Sequence, residues 1–316
     1  MRKRIILYLT IVFTFTTLTV SQTPVLVEDE IYSYVNALEG KSTRERAAVI
    51  KNVLRRMAVG YVTTSFRDTI IRGNDTVKVE GENIIARMGG GAKRIVVGAH
   101  YDVYENSPGA NDNGSGVGVV LALINRLKDQ EWGHTVEFCF FDQEEIGSIG
   151  AEAYVKKFVI PSLHLAMINI DVVGLGEELF VGPVGDNSNM TIKFVREIAR
   201  KHGFLLMEAK DYPGSDFIPF AKRDLECISI SIVPKGDSER LMKIARNEEI
   251  TAADDIPQIL GLIHTQHDKA LYVSKSSLKM AYETVSELLL ILNEIEFVPI
   301  PQKQETTKGK QKSSKK

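Results

Sequence analysis

A chain of 316 residues with 44% hydrophobic and 25% charged residues has an ordinary globular composition and enough length to bury a full core, which excludes a fibrous or wholly disordered chain. The formal net charge is −2. Setting aside Arg2, Lys3 and Arg4, and the six lysines that face Glu305 over residues 303–316, leaves −10 for the body, the opposite of what a nucleic-acid binder carries.

Arg2-Lys-Arg4 precedes an apolar stretch from Ile5 to Val20, with small residues at Thr19 and Ser21. That order describes a secretory signal cleaved near Ser21. The alternative is a retained anchor, for which the run is short and rich in threonine. Residues 1–21 are therefore read as a signal peptide, 22–300 as one folded domain and 301–316 as a lysine-rich tail with no apolar residue, expected to be disordered. The expected location is periplasmic or secreted, with no stable membrane anchor. Export permits a disulfide, but Cys139 and Cys227 lie in separate apolar runs and read as two buried thiols.

Residues 28–60 carry apolar positions at helical spacing, and Ser42-Thr-Arg-Glu45 offers a capping box for a helix through Met57. Strands are expected at 76–88, 94–101, 135–141, 164–172, 179–182 and 227–233. Helices are expected at 116–127, 149–158, 190–202 and 274–297. Alternating strands and helices, with strands that are continuously apolar, predict an α/β fold. This is a single domain with a mixed, mostly parallel β-sheet and helices on both faces.

Ligands of such sheets gather beyond the carboxyl ends of the strands. His100 and Asp102 close the run Arg94-Ile-Val-Val-Gly-Ala99, and residues two apart face the same way, so Asp102 is placed to fix the His100 ring. The loop Pro108-Gly-Ala-Asn-Asp-Asn-Gly-Ser-Gly116 carries Asp112 into the crevice, where each carboxylate oxygen can serve one of two metal ions. Asp142-Gln-Glu-Glu-Ile-Gly147 follows the strand ending at Phe141. Glu145 is assigned as a ligand, and Glu144 as the general base beside the attacking water.

Asp171 closes the strand Leu165-Ala-Met-Ile-Asn-Ile170. His264 follows Ile259-Leu-Gly-Leu-Ile263 and is preferred over its rival His267, with Asp268 as a nearby supporting carboxylate. His134, His164 and His202 sit at element ends and read as structural. The set divides into His100, Asp171 and Asp112 on one metal, and Glu145, His264 and Asp112 on the other. Imidazole with carboxylate and no thiolate suits Zn²⁺, two per chain, with cobalt or manganese as alternatives.

This order of motifs resembles the M28 family of zinc aminopeptidases over roughly residues 80–290. The resemblance rests on a His-x-Asp strand end, a Gly-x-Asn-Asp-Asn-Gly-Ser-Gly loop, a Glu-Glu pair, a later Asp and a C-terminal His. It implies a zinc-peptidase-like α/β domain that removes the N-terminal residue from peptides with a free N-terminus, with the same residues in the same metal roles. It also implies a cis peptide after Asp112. Two departures stand out. Relatives carry Ser-Asp-His-x-Pro-Phe where this chain has Ser215-Asp-Phe-Ile-Pro-Phe220, and some place a tyrosine where this chain has Ile263. The second leaves oxyanion stabilisation to the metals or to another donor, with Tyr212 or Tyr272 as candidates.

Two other functions stand beside an exported dizinc aminopeptidase. One is a glutaminyl cyclase-like single-zinc transferase, against which the complete ligand set argues. The other is a catalytically silent peptide-binding ectodomain, which tends to lose ligands. Oligomeric state and the preferred N-terminal residue are left open.

Overall fold

The computed structural model describes residues 25–73, 75–185, 190–249 and 256–295. The signal-like stretch 1–21 and the lysine-rich 301–316 lie outside these. Two helices come first, α1 (Val27–Leu38) and α2 (Thr43–Arg56). The Glu45 carboxylate accepts both the backbone N–H and the hydroxyl of Ser42 at 2.9 and 2.7 Å, closing the first turn of α2 as the capping box requires. A hairpin of β1 (Tyr61–Arg72) and β2 (Asp75–Met88) leads into β3 (Arg94–His100), α3 (Gly114–Leu127), β4 (Thr135–Phe141), α4 (Ile149–Phe158) and β5 (His164–Ile170). The second half contains β6 (Glu178–Gly182), α5 (Thr191–His202), β7 (Leu205–Glu208), α6 (Ile218–Ala221), β8 (Cys227–Val233), α7 (Asp237–Ala245) and α8 (Lys275–Asn293).

The eight strands among the described residues form one sheet in the order β1-β2-β4-β3-β5-β8-β6-β7. Its centre, β4-β3-β5-β8, is parallel. β2 joins that centre antiparallel on one side and β6 on the other. The architecture is thus the single mixed α/β domain expected.

Strand alternation explains why both faces are covered. Ile95, Val97, Val136, Phe138, Ile168, Ile228 and Ile230 point to the larger core, packed under α1, α3, α5 and α8. Their neighbours Val96, Cys139, Phe141, Met167 and Cys227 point to the other face, against Tyr154 of α4 and Phe220 of α6. Strands buried on both faces have no polar alternation, and these read as continuous apolar runs for that reason. Cys139 and Cys227 are free, buried thiols, with β3 and β5 between their strands. Burial pushes Cys227 up to about 12.

Expected boundaries shift by a few residues at several ends. β3 stops at His100 and β5 at Ile170, while α3 begins at Gly114 and α8 ends at Asn293. Four of the labelled elements had not been expected: β1, β7, α6 and α7. β1 is an edge strand that exposes Val62 and Ile71, so its residues show no buried period. β7 is four residues on the opposite edge. Among the described residues no helix is long and apolar enough to cross a membrane.

Candidate metal centre

The ends of β3, β4 and β5 open into one crevice, and the loops leaving them carry the acidic and imidazole side chains. His100 Nε2 lies 3.2 Å from Asp112 Oδ1 and 3.4 Å from Asp171 Oδ1. His264 Nε2 lies 3.0 Å from Asp112 Oδ2 and 3.1 Å from Glu145 Oε2. The two oxygens of Asp112 therefore face different triads, His100–Asp112–Asp171 and Asp112–Glu145–His264. In each, one donor atom per residue falls within 4.8 Å of the others. The structure brings together the five side chains expected to be ligands. His267, the rival of His264, is exposed on the surface.

The site is built by backbone as much as by side chain. Asp102 accepts the N–H of Glu144 at 3.1 Å on one oxygen and the N–H of Glu145 at 3.2 Å on the other. The same carboxylate lies 3.3 Å from His100 Nδ1, as an ion-pair contact rather than an aligned hydrogen bond. One residue thus orients the imidazole and fixes the Glu144-Glu145 turn.

Asp112 sits in a loop tied down at each polar position. Asn111 Oδ1 accepts the N–H of Gly174 at 2.7 Å, the Asn113 amide donates to the carbonyl of Ile170 at 2.9 Å, and the Ser115 hydroxyl accepts the N–H of Val173 at 3.0 Å. Asn113 also caps α3, accepting the N–H of Gly116. A side chain at Gly116 would meet Asn113 Oδ1 at 2.3 Å and the Ile170 carbonyl at 2.5 Å, so only glycine fits. The Asp112–Asn113 peptide is cis.

Beneath the loop, the fully buried Arg46 of α2 donates to the carbonyls of Pro108 and Gly109 at 2.8 and 2.7 Å. Asp171 is held by the Ser215 hydroxyl at 2.7 Å, which in turn accepts from Asn169 at 2.9 Å. The segment leading to His264 is fastened by Asp237 at the start of α7, which accepts the N–H groups of Gln258 and Ile259 at 2.9 and 2.8 Å.

Left-handed backbone clusters here in residues other than glycine: Gln143 and Ser148 flank the glutamate pair, Val172 follows Asp171, and His264 itself has φ +58. For the β-branched Val172 this is a costly conformation, and surrounding bonds must hold it.

Charge is concentrated accordingly. Burial pulls the His100 imidazole down, but Asp171, with Asp102 and Asp112, more than reverses this and holds it well above its usual value. Hydrogen bonds to Asp112 and Glu145 raise His264 to about 10. Burial would raise Asp112 too, yet the two imidazoles beside it hold it low. Glu144 is pushed well above the ordinary carboxylate range, chiefly by burial and then by Asp216, Asp171 and Asp112, against the pull of His100.

Buried oxygens of Glu145 and Asp171 have no hydrogen-bond partner among the described residues. Unpartnered carboxylate oxygens converging with two imidazoles are a donor set that fits divalent zinc.

Beside the triads lies a cavity of about 240 Å³ lined by Glu144, Phe180, Tyr212, Val233, Ile244 and Ile263 among others. Of the two oxyanion candidates, Tyr212 borders this cavity, but its hydroxyl is committed to Ser231 Oγ at 2.6 Å. Tyr272 borders a different crevice, with Leu175 and Pro234. The three histidines read as structural each have partners away from the site. His134 is bonded to the carbonyl of Ile295, His164 to that of Glu226, and His202 to Glu287.

The model of the peptidase family M28 matches residues 83–289, a span that contains the whole constellation. The chain belongs to peptidase family M28. It is 30% identical over 198 residues to aminopeptidase YwaD of Bacillus subtilis, covering 61% of this chain and 39% of that protein. It is 29% identical over 237 residues to a probable leucine aminopeptidase of Arthroderma otae, covering 67% of this chain and 61% of that one. This M28 chain thus spans about two-fifths to three-fifths of the length of these relatives.

Its fold is similar to that of BSAP, a zinc aminopeptidase from Bacillus subtilis, with a TM-score of 0.67 at 17% identity over 85% of this chain and 95% of that one. It is similar also to Porphyromonas gingivalis glutaminyl cyclase, with a TM-score of 0.65 at 20% identity over 84% and 96%.

Arg46 and Asp237 were not singled out from sequence, and Ser215 and the buried Asp216 were met only as the start of the motif that departs from its relatives. Nothing local distinguishes Arg46 from its exposed neighbour Arg44. A helical register that places position 46 on the buried face with Ala47 and Ile50 is the one signal that marks it.

Proposed function

We propose that this M28 chain is an exported aminopeptidase that hydrolyses the N-terminal peptide bond of peptides at a two-zinc centre. The observation that carries the proposal is Asp112, whose two carboxylate oxygens each face a separate histidine-containing triad. His100, Asp171 and Asp112 would hold one ion, and Glu145, His264 and Asp112 the other. Zinc bound there would lower the pKa of water and polarise the scissile carbonyl.

The protein's own groups supply the rest. The Glu144 carboxylate, at the rim of the same cavity, takes the proton from the attacking water as its oxygen bonds to the carbonyl carbon. It then returns that proton to the nitrogen that leaves as the C–N bond breaks. Asp102 sets the position of Glu144 through its N–H. The negative rim suits the free amino group of the substrate. Residues 1–21, basic and then apolar, support export.

Glu144→Ala tests the assignment. It should retain two zinc ions per chain by elemental analysis while hydrolysis of aminoacyl anilides falls by roughly 10²- to 10⁴-fold. Wild-type-like turnover in this variant would refute the role of Glu144. A glutaminyl cyclase shares the scaffold, so the assay includes a peptide with N-terminal glutamine. One tightly held zinc with release of ammonia and a cyclised product would replace hydrolysis by transfer.

A further inference from the structure

The two histidines of the centre are held in different ways. His100 is 2% exposed at its side chain, and Asp102 lies beside its Nδ1. His264 is 45% exposed at its side chain, its backbone is left-handed, and among the described residues no polar group is hydrogen-bonded to its Nδ1. A ligating imidazole without a partner on its second nitrogen is free to swing about its χ angles. One ring contact restrains it. The ring of Tyr104, from the loop after β3, stacks on the His264 ring with centroids 4.3 Å apart and planes 12° from parallel.

Tyr104 is itself anchored in a tight turn. Its carbonyl accepts the N–H of Ser107 at 3.1 Å, and Asn106 within that turn has φ +65. Tyr104 is 44% exposed and joins none of the hydrophobic clusters, so core packing does not account for an aromatic ring at this position. A phenol ring is electron-rich on its face, and an imidazole that donates its lone pair to a cation is electron-poor, so the stack strengthens when metal binds.

We propose that Tyr104 is a positioning residue whose ring, stacked on His264, holds the imidazole with Nε2 aimed between Asp112 and Glu145, doing by packing what Asp102 does for His100. The proposal rests on the two-zinc reading of the site. It concerns only the ion held by Glu145 and His264.

Zinc binding to the full chain, its Tyr104→Phe variant and its Tyr104→Ser variant is measured by competition with a chromophoric chelator. Cobalt absorption spectra of the same three proteins report ligand geometry. Tyr104→Phe should match the wild type. Tyr104→Ser should keep one zinc at wild-type affinity, bind the other about 3- to 10-fold more weakly and change the cobalt spectrum of that ion alone. Thermal unfolding of the three metal-free proteins should coincide, since Tyr104 is not part of the core.

Wild-type affinity for both ions in Tyr104→Ser overturns the role of Tyr104 and leaves the metal centre standing. Equal weakening at both ions, or an equal loss in Tyr104→Phe, overturns it too. A wild-type chain that binds fewer than two zinc ions sinks the two-zinc reading and this inference with it.

Discussion

The carboxylate of Asp268 accepts the backbone N–H of Asp112 at 3.0 Å on one oxygen and that of Asn111 at 2.6 Å on the other. A residue four positions after His264 thereby sets the loop that carries the carboxylate shared between the two triads. His264 and Asp112 are linked twice, once through their side chains and once through this clamp. The segment 264–268 and the loop 108–113 behave as one unit.

Asp268→Asn should break that unit selectively. An amide can keep one acceptor, but its NH₂ then faces a backbone N–H, and one of the two bonds is lost. Supporting groups of this kind are typically worth 10- to 100-fold in metal affinity. The expected result is a loss of that size in zinc affinity, measured by chelator competition. Circular dichroism should remain that of the wild type. Undiminished affinity in Asp268→Asn would show that the loop holds its shape without the clamp.

Arg46 supports the same loop from below, and its replacement should read out as stability. Its guanidinium is wholly buried and donates to the Pro108 and Gly109 carbonyls. Desolvation lowers its pKa, while Asp268, Asp112, Asp102 and Glu145 counter that with their charge. Arg46→Met keeps much of the volume, takes the charged donor from two carbonyls that keep only the N–H groups of Gly40 and Gly114, and removes a cation that interacts with the acidic cluster. A buried hydrogen bond from a charged donor contributes about 1.5–3 kcal/mol. Urea denaturation of the metal-free protein should show a loss on that scale. A loss below about 1 kcal/mol would mean that the cluster does not depend on this charge.

How much of this was legible in the sequence depends on where each residue sits. Strand ends were legible because β3, β4, β5 and β8 are apolar on both faces, so the first polar residue after each run marks the crevice. That rule finds His100, Asp142 with the following glutamates, and Asp171. It fails for β1, whose residues are mostly exposed, and for α7, whose short pattern follows a loop. Asp112 was legible through the density of Asn, Gly and Ser around it, each of which has a bond to make. Arg46, Tyr104 and Asp237 act across the fold on segments remote in sequence. Local composition carries no trace of such a pairing.

Asp142 supplies a pH test that stands apart from the metal ligands. Burial pushes its carboxyl up from 3.8 to about 6, with Asp102 adding to the rise and the N–H of Glu82 pulling against it. The folded state therefore binds this proton more tightly than the unfolded chain. Its contribution to stability is full below about pH 4 and is lost as pH rises through about 6. A shift of this size corresponds to roughly 2–3 kcal/mol. Asp142→Asn cannot titrate, so the difference in unfolding free energy between wild type and variant should change by about that amount between pH 4 and pH 7, moving in the variant's favour. A difference independent of pH over that range would remove Asp142 from the titrating set.

The cavity beside the triads gives the last expectation, which concerns the substrate's N-terminal side chain. Phe180, Val233, Leu241, Ile244, Ile259 and Ile263 line it, with Glu144 and His100 at one end. On the proposed two-zinc aminopeptidase reading, an apolar pocket next to Glu144 is where the side chain of the first residue would lie. Apolar walls discriminate by area, about 1–3 kcal/mol for each methylene that fits or is missing, and they reject a charge that would be buried unpaired. Leucine, methionine and phenylalanine anilides should therefore be cleaved with kcat/KM at least about tenfold above that of alanine. Lysine and glutamate anilides should be poorer still. Ile244→Asp, at a half-buried position of the pocket wall, should lower the leucine value by about tenfold or more and raise that of lysine. A flat profile across the panel, or no response to Ile244→Asp, would place the side chain elsewhere.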